Sequence, residues 1–250
     1  MTLVRGAGTL LNMAAVLIGS GLGVGLGGRL PERTRTTVTD ALGLVTLVIG
    51  ALNVASLSDP AFRSAVGDSG TLLVVLGALL VGGITGSLLR LEDRLEASGA
   101  WLQRRLSRGA PTASRARFVE GYVSASLVFV VGPLAVLGSL SDGLGRGIDQ
   151  LALKSTLDGF AALAFAASLG WGVAASAVSV GVVQGLLTLL GFALGGLLPA
   201  SLVAAVTATG GVLLLGVGLR LLDLKPVAVG DLLPALLVAP ALTALVAALL

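Results

Sequence analysis

Two residue types are missing outright: the 250-residue sequence contains no cysteine and no histidine. Without cysteine there is no disulfide framework and no thiolate ligand, and without histidine the commonest metal ligand and proton shuttle is gone. Enzymes built on His or Cys chemistry are excluded. Charge is also scarce. Asp, Glu, Lys and Arg make up 12% of the chain, about half the roughly 25% of a soluble domain. What fills the space is apolar: 55% of residues are hydrophobic and the mean hydropathy is +1.02. The composition is that of an integral membrane protein. A net charge of +3 and a pI near 10.2 would suit nucleic acid, but the basic residues stand at the ends of apolar runs with no aromatic platforms beside them. They read as topology signals, and nucleic acid is not expected as a partner.

Crossing a hydrocarbon core of about 30 Å takes about 20 apolar residues. Eight runs of that kind lie near 9–28, 37–57, 71–90, 118–140, 155–170, 173–197, 200–222 and 231–250. The fifth is short, separated from the sixth only by SLGWG (168–172), and a re-entrant helix is the alternative there. The first resembles a signal peptide, but it is too long for an h-region and runs directly into Arg29, so it is read as retained. Basic residues concentrate in the odd loops: Arg29, Arg33 and Arg35 in the first, Arg90 to Arg117 in the third, Arg220 and Lys225 in the seventh. The even loops are balanced by Asp59, Asp68, Asp142 and Asp149. By the positive-inside rule, eight spans with both termini outside fit this pattern.

Between the third and fourth spans, LRLEDRLEASGAWLQRRLSR places Leu89, Leu91, Leu95, Trp101, Leu102 and Leu106 near one side of a helix with a basic C-terminal half. This suits a helix on the cytoplasmic interface, a soluble linker helix being the plainer reading. GAPTAS (109–114) follows as a flexible connector. The chain divides into a first repeat (9–90), this helix and linker (91–117), middle spans (118–170) and a second repeat (173–250).

The repeat appears when LGVGLGGRLP (22–31) is set above LGFALGGLLP (190–199). Twelve of the 32 positions from Leu22 to Asn53 are identical 168 residues later, including Gly43 with Gly211, Leu47 with Leu215 and Gly50 with Gly218. Composition alone gives roughly one match in eight in so Leu/Gly-rich a chain. Spans one to three then correspond to spans six to eight. An offset of five helices inverts the second copy, the arrangement of many transporters, whose substrates bind near the midplane between the copies. The expected fold is an all-α polytopic bundle of about eight spans with an inverted-topology repeat.

Ionisable groups inside spans cost several kcal/mol and point to function. Glu120 and Asp40 lie near span ends, where Arg117, Arg115 or Arg35 can face them. Asp158 sits a turn inside the fifth span with Lys154 four residues before it, the weaker order for such a pair, although a carboxylate in a first turn gains from the helix dipole. Lys154 is expected to snorkel to the interface as an anchor while Ser155 or Thr156 caps the helix. Asp158 is then the candidate for ion or proton coupling, with structural pairing as the alternative. Nearer the midplane lie Gln184, Thr188, Thr46, Ser124, Ser126, Thr207 and Thr209; Gln184 needs several hydrogen-bond partners, and inter-helix glue is its plainer role. Gly132-Pro133 should break the fourth span and TATGG (207–211) loosen the seventh, which together suggest a polar cavity. The 37 glycines are mostly packing residues, and GVGLGG follows no strand and is no nucleotide motif.

GTLLN (8–12), GGRLPER (27–33), LRLEDRLE (89–96), FVEGYVSASLVFVVGPLAVLGSLSDGL (118–144), KSTLDGFAALAFAASLG (154–170), TATGGVLLLGVGLRLL (207–222) and VGDLLPALLVAPAL (229–242) resemble the prokaryotic integral membrane family called domain of unknown function 554. The likeness covers nearly the whole chain. It implies a multi-pass protein of a bacterial or archaeal inner membrane, and it carries no residue role across.

The function expected from these features is a small secondary transporter or channel-like protein for an ion or small solute. Asp158, Glu120, Gln184, Thr188, Thr207, Thr209 and Ser124 are its candidate binding residues, and Gly132 and Pro133 its helix break. The alternative is a non-transporting scaffold or sensor acting through the basic helix 89–108. An enzyme is not expected, because no nucleophile and base pair can be named, although Glu120, Asp142 and Asp158 could form a carboxylate site. No cofactor and no metal are expected. The expected partners are the bilayer, an ion or solute and, through Gly-rich faces, a second copy.

Overall fold

The computed structural model describes residues 5–27, 31–94, 97, 100–101, 112–130, 133–194 and 199–249. Among these the chain is helical throughout, without a strand: α1 (Ala7–Gly27), α2 (Glu32–Val54) followed by a 3-10 turn (Ala55–Ser58), α3 (Pro60–Val66), α4 (Gly70–Leu88), α5 (Thr112–Val130), α6 (Pro133–Gly143), α7 (Asp149–Leu169), α8 (Gly172–Leu194), α9 (Ala200–Leu221), α10 (Val229–Leu232) and α11 (Ala235–Leu249). In a hydrocarbon environment a backbone satisfies its own polar groups only by remaining helical along each apolar run. Local signals set the ends. Asp59 accepts hydrogen bonds from the Ala61 and Phe62 amides at 2.8 and 3.3 Å, with Pro60 at the first helical position. Gly170, at φ 80°, closes α7 with a bond to the Ala166 carbonyl at 2.9 Å, so SLGWG does separate two helices.

Among the described residues, six segments are long and apolar enough to cross a membrane: Ala7–Gly27, Thr39–Ser58, Gly70–Leu88, Gly172–Ala193, Ala200–Leu221 and Val229–Leu249. A seventh arises if Arg115–Val130 and Leu134–Gly143 form one span bent by 77°. The break falls where Gly132-Pro133 was expected to interrupt the helix; Pro133 opens α6, and Gly132 lies outside the described residues. The remaining expected span is α7. It is a full 21 residues, yet carries Asp149, Lys154 and Asp158, which lower its apolar character. It also begins at Asp149 rather than 155, so neither Ser155 nor Thr156 is its cap. Both hydroxyls instead bond back to the carbonyls of Leu151 and Ala152, at 2.6 and 3.1 Å. The TATGG segment is likewise not loosened: α9 is continuous, with Thr207 and Thr209 bonded to the Val203 and Ala205 carbonyls, each at 2.8 Å. Of the helix 89–108, residues 91–94 are helical and most of the rest lies outside the described residues.

The chain forms two compact units. The first comprises residues 1–42, 95–130 and 134–197, the second 43–94, 131–133 and 198–250. In the first, Gly19, Gly23 and Gly27 of α1 lie on the backbone of Gly159, Leu163 and Ala167 of α7. The constant offset means that these helices run parallel, with glycines allowing backbone approach. On its other side α1 runs antiparallel to α8, where the Thr9 and Thr188 hydroxyls lie 3.4 Å apart and Met13 packs on Gly181. Between α5 and α8, Ser126 donates to Ser179 at 2.9 Å and Ser179 to the Tyr122 hydroxyl at 3.0 Å. The α5 ring of Phe129 meets Phe165 of α7 edge-on at 6.2 Å.

The second unit has its core in Phe62, Val66, Val74, Val75, Ala78, Ala204, Ala205, Ala208, Ala235 and Ala239. Here α2 crosses α9 antiparallel: Gly43 lies by Gly218, and Gly50 by Gly211. Similarly α4 runs antiparallel to the α10–α11 segment, with Gly82 on Ala235 and Gly86 on Asp231. Just beyond α4, the Glu92 carboxylate pairs with Arg220 at the end of α9 and accepts the Gly230 amide at 2.6 Å. The Glu92 amide donates to Asp231 at 2.9 Å. The segment that follows α4 is thus fastened at Glu92 to the end of α9 and to α10.

Candidate functional site

The first unit holds an ion pair inside its helix packing. Lys154 and Asp158 are one turn apart on α7, so their side chains meet on one face. The Lys154 ammonium lies 2.9 Å from Oδ1 and 2.7 Å from Oδ2 of Asp158, and the two side chains are only 8% and 9% exposed. The expectation that Lys154 snorkels to the interface is therefore overturned. Because α7 starts six residues earlier than the hydropathy suggests, Lys154 lies within the helix and turns inward against α1. Asp158 takes a third hydrogen bond from Asn12 Nδ2 of α1, at 2.9 Å. Asn12 is fully buried and was missed in the sequence, where a lone amide in the run GTLLNMAAVLIGS was the available signal.

Further polar groups lie beside this triad. Thr9 faces Thr188 and Met13 faces Gly181 across the α1–α8 crossing. This antiparallel register sets Gln184 of α8 at the depth of residues 9 to 13, the level of Asn12. Gln184 is fully buried. Among the described residues, neither atom of its amide has a partner, nor has Asn12 Oδ1. Buried polar atoms without partners cost about 1–3 kcal/mol each, so two amides in this state mark a place where a polar ligand or water is favoured. Thr188 lies in the same layer through its contact with Thr9. Ser124 of α5 is also buried, its hydroxyl without a partner among the described residues, and Glu120, one turn earlier, is half-buried.

Other candidates do not join this group. Thr207 and Thr209 belong to the second unit and are bonded to their own helix. Asp40 is exposed on α2. The supposed carboxylate trio is not assembled either: Asp142 caps α1 by accepting the Gly6 and Gly8 amides, both at 3.0 Å. Among the described residues no three of His, Cys, Asp or Glu cluster as metal ligands would. What the site offers is one carboxylate already neutralised by an internal ammonium and held by the Asn12 amide, with the Gln184 amide at the same depth. A cation or proton reaching Asp158 must compete with Lys154, and any change in the pair changes the charge of a buried layer.

The chain is similar to known proteins. Residues 7–244 match the family described as "Protein of unknown function (DUF554)". It is 32% identical over 213 residues to the uncharacterized protein YqgA of Escherichia coli (strain K12), covering 85% of this chain and 86% of that protein. It is 25% identical over 212 residues to the uncharacterized membrane protein YdfK of Bacillus subtilis (strain 168), covering 85% and 84%. No solved structure matches it.

Proposed function

Starting from the fact that this chain belongs to the DUF554 family and is an all-helical membrane protein with six candidate spans, we propose that it is a small secondary transporter or channel-like protein for an ion or small solute. The observation that carries this reading is the buried Lys154–Asp158–Asn12 arrangement. Ionisable groups held among apolar helices are costly, and in membrane proteins they mark ion and proton pathways. A purely structural clamp would work as well with apolar side chains and would not need unpaired amides at the same depth.

The proposal includes an inverted repeat, and the helix crossings support it. Gly43 opposes Gly218 and Gly50 opposes Gly211, and 211 and 218 are 43 and 50 advanced by 168. Each partner in one contact is therefore the repeat equivalent of a residue in the other. The leucines follow the same exchange: Leu47 lies on Gly218, while Leu215, its equivalent, lies on Gly50. Met13 packs on its own equivalent, Gly181. A two-fold axis in the membrane plane produces this pattern. In this reading the eight-span topology has both termini outside and α7 as the fifth span, in a prokaryotic inner membrane.

Reconstitution tests the function. Liposomes carrying the wild type are expected to dissipate at least one imposed gradient among H⁺, Na⁺, K⁺ and Cl⁻ faster than empty liposomes. The charge-balanced double variant Lys154→Met/Asp158→Leu is expected to fall to the empty-liposome rate and Asp158→Glu, which keeps the pair, to retain part of the flux. Wild-type vesicles that hold every gradient, or a Lys154→Met/Asp158→Leu protein with full flux, would remove the proposal.

A further inference from the structure

A groove of about 760 Å³ runs along the first unit between α1 and α8. Its walls are mostly apolar, formed by Leu10, Met13, Val182, Leu189 and Phe192 with Thr9 and Thr188 among them, and Gly185 leaves room on α8. Arg5 stands at one end, its guanidinium carbon 4.7 Å from the centre of the Phe192 ring. This cation–π contact holds the charge over the groove. No carboxylate pairs with Arg5 among the described residues. From Val178 to Phe192 the groove follows α8 for about 20 Å at 1.5 Å per residue, slightly more than the roughly 15 Å depth of one leaflet's hydrocarbon.

We propose that this groove binds one anionic phospholipid, with an acyl chain along Leu10, Val182 and Leu189 and the phosphate on Arg5. The charge decides between occupants. A second copy docking groove to groove about an axis normal to the membrane would bring two Arg5 side chains to the same depth, where like charges repel. An anionic headgroup meets the guanidinium with opposite charge and planar, bidentate donors suited to phosphate oxygens. Asp158 does not line the groove, although Thr9 and Thr188, which do, belong to the polar layer beside it, and the lipid assignment does not depend on transport.

Thermal unfolding of the detergent-solubilised protein, with phosphatidylglycerol or phosphatidylcholine of the same acyl chains added, tests the assignment. Phosphatidylglycerol is expected to raise the midpoint saturably, as a ligand of the folded state does, and phosphatidylcholine to raise it far less. Arg5→Gln should weaken the phosphatidylglycerol response about fivefold, the factor expected for one basic residue near a phosphate surface. Gly185→Leu should abolish the response without lowering the lipid-free midpoint, because an added Cβ there meets nothing within 4 Å. Equal responses to the two lipids, or an Arg5→Gln protein that keeps the preference, overturn the assignment. It also fails if Gly185→Leu converts a dimer to a monomer by light scattering, since the groove is then a protein interface.

Discussion

Lys154→Ala is expected to destabilise the protein by on the order of 3–5 kcal/mol, enough to prevent purification of a folded species, because it strands the Asp158 carboxylate in a buried layer. The pair is 8% and 9% exposed and joined at 2.7 Å, so little water can replace the ammonium. Asn12 supplies only one neutral donor. The reverse change to the environment has a different outcome. Lys154→Met combined with Asp158→Leu removes both charges and keeps the volume, and a double replacement of this kind is often neutral or stabilising. The double variant should therefore unfold at or above the wild-type temperature while showing no flux. Thermal unfolding of the two proteins separates the readings: if the double variant is as unstable as the single one, the pair has a packing role that charge balance does not describe.

The second large effect concerns the seam between α1 and α7. Gly23→Val is expected to cost at least about 3 kcal/mol, at the upper end of overpacking penalties, because the new side chain would stand on the Leu163 carbonyl and the Ala167 amide. Neither backbone group can move aside without parting the helices, and parting them also draws Asn12 away from Asp158. Gly21→Val and Gly25→Val are the matched controls. Added Cβ atoms there meet nothing within 4 Å, at half-buried Gly21 and exposed Gly25, and substitutions that touch nothing stay within about 0.5 kcal/mol. A denaturation series in which all three variants behave alike would contradict the parallel packing of α1 on α7.

Much of the frame was legible from the residues, and the errors have identifiable causes. Apolar runs bounded by arginines gave the helices, because in lipid an apolar run has no alternative to helix. The sequence marks the glycines of GLGVGLGG as packing residues, but only the three-dimensional seam distinguishes Gly23 and Gly27 from Gly21 and Gly25. Lys154 was misplaced because hydropathy counts each charge as a cost, and Asp149 and Lys154 made DQLALK look like a loop. The pairing with Asp158 offsets that cost only once α7 is folded against α1. The TATGG segment misled in the same manner: its threonines bond within their own turn, and Gly211 serves the crossing with α2. Asn12 went unnoticed because a lone amide among leucines carries no spacing motif, and its role comes from a partner 146 positions away.

The proposed inverted repeat inserts two copies of one hairpin in opposite senses, and the prolines that precede α2 and α9 report on this directly. Pro31 and Pro199 are equivalent in the proposed repeat, and both are exposed. With no native cysteine in the chain, Pro31→Cys and Pro199→Cys can each be the sole thiol. The measurement is labelling by a membrane-impermeant maleimide, applied to intact cells and to inverted vesicles. Inverted insertion predicts that Pro31→Cys reacts only in inverted vesicles and Pro199→Cys only in intact cells. Labelling of both from the same side would show that the copies are inserted alike, and the inverted-repeat architecture would be wrong.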